Sequence, residues 1–184
     1  ALGWEILTEA GINNLDLKIS SIGSEECRNK YKNALVHFLK PQSSKLSEVS
    51  QKRLENNPLR ILDTKNKNEI EIIKSAPKIE EFYTKEDQSH FKQVQEYLKA
   101  LSIPFNIDPF LVRGLDYYTQ TTFEIISNDI GAQDALLGGG RYDGLIMSLG
   151  GNNTPAVGFA AGMERILLAI NKYDYNKNIA PTVY

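Results

Sequence analysis

Pro155-Ala156-Val157-Gly158-Phe159-Ala160-Ala161-Gly162-Met163-Glu164-Arg165-Ile166-Leu167-Leu168-Ala169-Ile170 is the stretch whose reading decides the fold. Ala156 to Ala161 is an apolar run of strand length, Gly162 interrupts it, and Met163 to Asn171 has helical character. The expected unit is a buried strand leading through glycine into an apolar helix with an arginine in its first turn. A helix N-terminus carries partial positive charge and unpaired N–H groups, and a guanidinium beside it adds to both. Gly162 and Arg165 therefore mark a candidate anion site.

Upstream lies Gly138-Gly139-Gly140-Arg141-Tyr142-Asp143-Gly144-Leu145, following a short strand over Ala135 to Gly138. It lacks the Gly-Lys-Ser/Thr of a P-loop, and no Gly-x-Gly-x-x-Gly opens a strand–helix–strand unit. Consecutive glycines let a strand end pass flush under a flat ligand, and a flexible turn is the alternative. A helix is expected from Asp143 to Leu149, ended by Gly150-Gly151.

Further upstream, Leu111-Val112-Arg113-Gly114-Leu115-Asp116-Tyr117-Tyr118 feeds a long strand over Tyr117 to Ile126, rich in Tyr, Thr, Phe and Ile. Apolar residues at both parities predict that both faces are covered. Adjacent strand residues point to opposite faces, so Tyr117 and Tyr118 share a pocket only if the strand is irregular where it begins. From 101 to 170 the only cations are Arg113, Arg141 and Arg165, each near a glycine, and lysine is absent. The planar guanidinium suits phosphate and carboxylate, so the three together point to a polyanion such as a nucleotide, against the plainer reading of structural ion pairs.

Toward the N-terminus, residues 1–11 read as the end of a helix stopped at Gly11, and Leu15 to Ser20 alternates like a strand. Ser24 is a natural N-cap for a helix running to Leu39, with Glu25 and Glu26 in its first turn. Polar helical patterns follow over 45–54, 69–74 and 86–101, with a short strand at Phe105 to Ile107. The expected organisation is a catalytic-core helix and strand over 1–23 and an inserted α-helical module over 24–101. The catalytic core resumes over 102–178, and a further domain begins at 179–184.

Composition bounds the rest. The 184 residues are 41% hydrophobic and 24% charged, typical of a globular protein. No run of about 18 apolar residues suggests a membrane span, and the N-terminus does not read as a signal peptide. The single cysteine, Cys27, fits a reducing compartment; it reads as a packing residue, although a helix N-terminus can lower a thiol pKa. His37 and His90 lack metal-ligand spacing, so no zinc is expected. Residues 24–100 hold 15 Lys and Arg against 12 Asp and Glu, leaving 6 against 11 elsewhere, or +3 against −5. A solvated helical surface accounts for that excess, with a weak contact to a phosphate backbone as the sharper reading.

Four blocks carry a resemblance. Gly158 to Arg165 with its apolar helix resembles motif 3 of class II aminoacyl-tRNA synthetases. Arg113 to Tyr118, continued by Thr119-Gln120-Thr121-Thr122-Phe123-Glu124, resembles the signature block of the histidine-specific family, histidyl-tRNA synthetase. Gly139 to Leu145 resembles its second signature block, and Asn57 to Asp63 a segment of the bacterial-type insertion. The resemblance runs the length of the chain.

It implies an α+β fold, an antiparallel class II sheet with an inserted helical module, and activation of histidine by ATP followed by transfer to tRNA-His. By position, Arg113 would be the catalytic residue at the α-phosphate. Tyr117, Tyr118 and Tyr142 would line the histidine pocket, and Arg165 with Gly162 would hold the γ-phosphate end of ATP. Magnesium would accompany ATP, with Glu124 a candidate neighbour. The implied parent is a cytoplasmic homodimer with no membrane partner. Motifs 1 and 2 are missing and 179–184 reads as the start of a truncated anticodon-binding domain, so the isolated chain is expected to be inactive. The runner-up is a synthetase-like, histidine-sensing regulatory subunit of ATP phosphoribosyltransferase. Arg165 and the close match through the insertion argue against it, and a third reading, a degenerate tRNA-binding module of a larger kinase, is opposed by the presence of both Arg113 and Arg165.

Overall fold

The structure is a computed structural model that describes residues 1–111, 117–131 and 135–172. Its centre is a mixed, mostly antiparallel sheet of β1 (Leu15–Ser21), β2 (Asn106–Ile107), β3 (Thr119–Ser127), β4 (Ala135–Arg141) and β5 (Val157–Ala161), in the order β2-β1-β3-β4-β5. Only β1 and β2 are parallel; Leu15 to Ser21 runs opposite Ser127 to Thr121 without a break. The helices are α1 (Leu2–Glu9), α2 (Glu25–Leu39), α3 (Glu48–Asn56), α4 (Lys67–Lys74), α5 (Lys85–Ala100), α6 (Leu145–Ser148) and α7 (Met163–Lys172). The class is thus the α+β, largely antiparallel one expected.

Local chemistry sets the helix starts. Ser24 accepts from the Cys27 N–H and caps α2, and Ser47 does the same for α3 through Ser50 N–H. Thr84 and Asp87 form a reciprocal capping box at the head of α5. Cys27 is fully buried, and burial with the nearby Asp87 charge pushes its thiol up to about 11, so it packs rather than reacts.

Two apolar clusters result. Tyr31, Leu35, Leu39, Ile61 and Ile73 form one among α2 to α4 and the 3-10 turns between them. The other joins α1, α5, α7 and the sheet through Leu7, Ile19, Phe91, Ile125, Leu137 and Ala169. The helical segment therefore contributes to both, since Phe91 and Leu98 of α5 pack with the sheet.

Three elements differ from the sequence expectation. β4 continues through the glycines to Arg141, because strand pairing on both sides holds them extended. The helix after Tyr142 is only Leu145–Ser148. β5 was expected to be buried, yet Val157 is 73% exposed. Its apolar run is paired on one side only, as the last strand of the sheet among the described residues.

Candidate functional site

Cross-strand pairs share a face, so register assigns the two surfaces of the sheet. Thr122 lies opposite Gly140, which lies opposite Gly158; Glu124 lies opposite Gly138, which lies opposite Ala160. On that face β4 and β5 therefore present nothing larger than a methyl group along these rows. The result is a flat floor, bordered on β3 by Thr122 and Glu124.

Three tyrosines gather at one end of the floor. The ring centroids of Tyr117 and Tyr118 are 4.8 Å apart, and Tyr142 stands 5.6 Å from Tyr117 and 6.3 Å from Tyr118, both edge-on. A Cβ on Gly140 would stand 2.8 Å from the Tyr118 ring, and one on Gly158 would stand 2.5 Å from the Tyr142 hydroxyl. The glycines are thus what permit the rings to lie on the sheet. The glycine run is strand rather than a flexible turn, and it passes under aromatic rings.

Tyr117 and Tyr118 meet because β3 is irregular where it begins, the condition set by the sequence. Regular pairing starts only at Thr119, and the register shifts between Thr119 and Thr122. Gln120, inside this bulge, has φ +54°. Tyr118 is buried and Tyr117 half-buried.

Arg165 sits toward the opposite end of β4. Its Nη1 donates to the Ala135 carbonyl at 2.8 Å, and Gly162 N–H donates to the Leu136 carbonyl at 2.8 Å, seating the head of α7 against the strand. Among the described residues Arg165 has no carboxylate partner. Arg141 behaves otherwise. Its Nε donates to both oxygens of Asp143, at 2.9 and 2.7 Å, and its Nη1 lies 3.3 Å from Nε2 of His90. It belongs to the other sheet face, opposite Val157 and Thr119. The reading of three arginines around one polyanion therefore loses Arg141 to a structural ion pair. Arg113 lies outside the described residues.

That other face borders a cavity of about 620 Å³ between α1, α5 and the sheet, lined by apolar residues such as Trp4, Phe123 and Phe159, with His90 and Arg141 among its few polar groups. None of the three tyrosines lines it. The cavity and the tyrosine cluster thus lie on opposite sides of the sheet. Among the described residues no three His, Cys, Asp or Glu side chains are placed to hold a metal ion, and no helix is long and apolar enough to cross a membrane.

Sequence reasoning missed Arg28, Asp87 and His90, which bond to Tyr118, Gln120 and Arg141 at the strand ends beside the tyrosines. The Thr84-x-x-Asp87 spacing, a capping-box pattern, is the one local signal that could have pointed to Asp87. The bonds these residues send to β3 and β4 cross intervals of 33 to 90 residues and leave no local signature.

A glycine-floored antiparallel sheet that runs into an arginine-bearing helix defines the chain as part of a class II synthetase-type catalytic fold. The profile of the histidyl-tRNA synthetase family matches residues 2–166, so the chain belongs to that family. It is 52% identical over 172 residues to the histidine–tRNA ligase of Wolbachia pipientis subsp. Culex pipiens, covering 93% of this chain and 42% of that protein. With the histidine–tRNA ligase of Crocosphaera subtropica it shares 48% identity over 184 residues, all of this chain and 42% of the relative. The crystal structure of apo S. aureus histidyl-tRNA synthetase superposes with a TM-score of 0.72 at 37% identity, covering 94% of this chain and 42% of that one. The chain thus spans about two-fifths of the length of these relatives.

Proposed function

We propose that the full-length protein to which this chain corresponds activates histidine with ATP and transfers it to tRNA-His, and that this chain supplies two ends of the active site. The observation that carries the reading is the placement of the tyrosine cluster and Arg165 toward opposite ends of β4. Ala135 and Gly140 are five residues apart, roughly 17 Å of extended strand, enough for an amino acid and a nucleotide to lie end to end.

In this reading Tyr117, Tyr118 and Tyr142 line the histidine pocket, where aromatic walls with hydroxyl groups suit an imidazole ring. A histidine carboxylate oxygen attacks the α-phosphorus of ATP, and the bond to the departing pyrophosphate breaks. Negative charge grows on the α-phosphate oxygens, and Arg113 stabilises it. Arg165, with Gly162 and the head of α7, holds the γ-phosphate. The glycine floor lets the nucleotide rest against backbone. Magnesium would accompany the ATP phosphates; the described residues offer no metal cluster of their own, and Glu124, on the floor opposite Gly138, is the candidate carboxylate.

Residues 24–101 serve as the helical insertion between parts of the catalytic core, 1–23 and 102–178. Residues 179–184 begin an anticodon-binding domain. The whole protein works in the cytoplasm as a homodimer. The ligase reading takes precedence over a histidine-sensing subunit because Arg165 has no carboxylate partner among the described residues, leaving its charge for phosphate.

Histidine-dependent exchange of pyrophosphate into ATP, measured on the full-length protein, tests this. Arg113→Ala should slow exchange about 100-fold, as loss of one transition-state charge contact does, with histidine affinity changing much less. An unaltered rate removes Arg113 from the role, and no exchange by the unmodified protein overturns the function.

A further inference from the structure

The tyrosine cluster depends on the helical segment for its shape. Arg28 of α2 donates from Nη1 to the Tyr118 carbonyl at 2.8 Å. Two residues on, Gln120 occupies the left-handed region, which a residue other than glycine holds only when its surroundings enforce it. Those surroundings come from the residues that follow β1 and from α5. Gln120 N–H donates to the Gly23 carbonyl at 3.1 Å, and Ile22 N–H donates to the Gln120 carbonyl at 2.7 Å. Gln120 Nε2 donates to Oδ1 of Asp87 at 2.9 Å.

Asp87 is fully buried and already committed on two further sides. It accepts from Ser24 N–H and Oγ at the head of α2, and from Thr84 N–H and Oγ1 at the head of α5. Its side chain therefore fixes both helix starts and the β3 kink relative to one another. One turn later on the same face of α5, His90 reaches Arg141, the residue before Tyr142. Arg141 in turn grips Asp143, whose N–H donates to Thr119 Oγ1 and whose Oδ1 accepts from Ala156 N–H. Two side chains on one face of α5 thereby reach both tyrosine-bearing strand ends.

We propose that Arg28, Asp87 and His90 are positioning residues through which the helical segment sets the geometry of the tyrosine pocket, and so its affinity for the amino acid. The second half of this rests on the reading of Tyr117, Tyr118 and Tyr142 as the histidine pocket. The test uses the full-length protein with 3-fluorotyrosine placed singly at 117, 118 and 142, followed by fluorine NMR, with Arg28→Met and Gln120→Ala as the variants. The resonances at 117 and 118 should shift in both, and KM for histidine should rise about tenfold while KM for ATP stays within about twofold. Arg28→Lys, which keeps a cationic donor, should recover part of the loss. Should Gln120→Ala fail to fold, Arg28→Met alone carries the comparison. Unmoved resonances and an unchanged histidine KM, with only a lower melting temperature, would overturn the proposal. Moved resonances with an unchanged histidine KM would keep the positioning and reject the tyrosines as the histidine pocket.

Discussion

The helical segment and the far side of the sheet are finished to different degrees. Among α2 to α4, Tyr31, Leu35, Leu39 and Ile61 are all 1% exposed or less, and the fully buried Glu69 is satisfied by Ser47 N–H, Ser50 Oγ and Thr64 Oγ1. Around β5 and α7, by contrast, Val157 is 73% exposed and Leu168 61%. The first region closes its interior with its own residues. The second presents apolar surface that the described residues leave uncovered, and the relatives this chain matches hold more than half their length beyond the matched part. In the function proposed above, the site lies on the less finished side.

Glu69 offers the sharpest way to break that contrast. Glu69→Ala strands three donors in a closed core and should cost about 3 kcal/mol in urea unfolding followed by circular dichroism. A loss below about 1 kcal/mol would mean that the helical core is not closed in the sense argued.

Acid should act on the same region with the same sign. Burial pushes the Glu69 carboxyl up, but the bonds from Thr64, Ser47 and Ser50 outweigh it and bring it from 4.5 down to about 2. Its ionised form therefore favours the fold; the stabilisation is full above about 4.5 and is lost as pH falls toward about 2. Asp87 follows the same logic: burial raises it, and bonds from Thr84, Gln120 and Ser24 hold it below its ordinary 3.8. Burial and the Arg141 charge hold His90 below its ordinary 6.5, so its neutral form favours the fold and its contribution also fades as pH falls. The urea midpoint should drop as pH is lowered from about 7 to about 3, and Glu69→Gln should flatten the steepest part. An identical acid slope in that variant would assign the effect elsewhere.

The smallest expected change is on the open side. Val157→Lys should alter the stability of the isolated chain by no more than about 0.5 kcal/mol, as exposed substitutions do, and should raise its solubility. A larger loss in the same urea titration would show that β5 is already covered, for instance by a second copy, and the contrast would fall.

Much of this organisation was legible in the residues. Ser24 as a cap, the alternation of Leu15 to Ser20 and the glycine between Ala161 and Met163 each act within a few positions, where pattern and propensity are informative. The condition on Tyr117 and Tyr118 was also legible, because strand parity forbids them one pocket unless the strand is irregular. That it is irregular was not, since the kink at Gln120 is stabilised by Gly23 and Asp87, distant in sequence. Arg141 was misread for a related reason. Its glycine neighbours suggested a ligand, but parity turns it to the opposite face, where Asp143 takes its charge.

The carboxylate of Asp87 also bears on how the chain reaches its native state. Ser24 and Asp87 are 63 residues apart, and the bonds between them cannot form until the intervening segment has closed into a loop. The nascent α5 can use Thr84 and Asp87 as a local capping box from the first turn, but α2 receives its share only on docking, and the left-handed Gln120 receives its share only once β3 has arrived. These bonds are therefore late ones in folding, weighted toward the unfolding rate rather than the folding rate. A protein built this way would acquire its helices early and its tyrosine-lined surface near the end, so that binding competence reports completion of the fold.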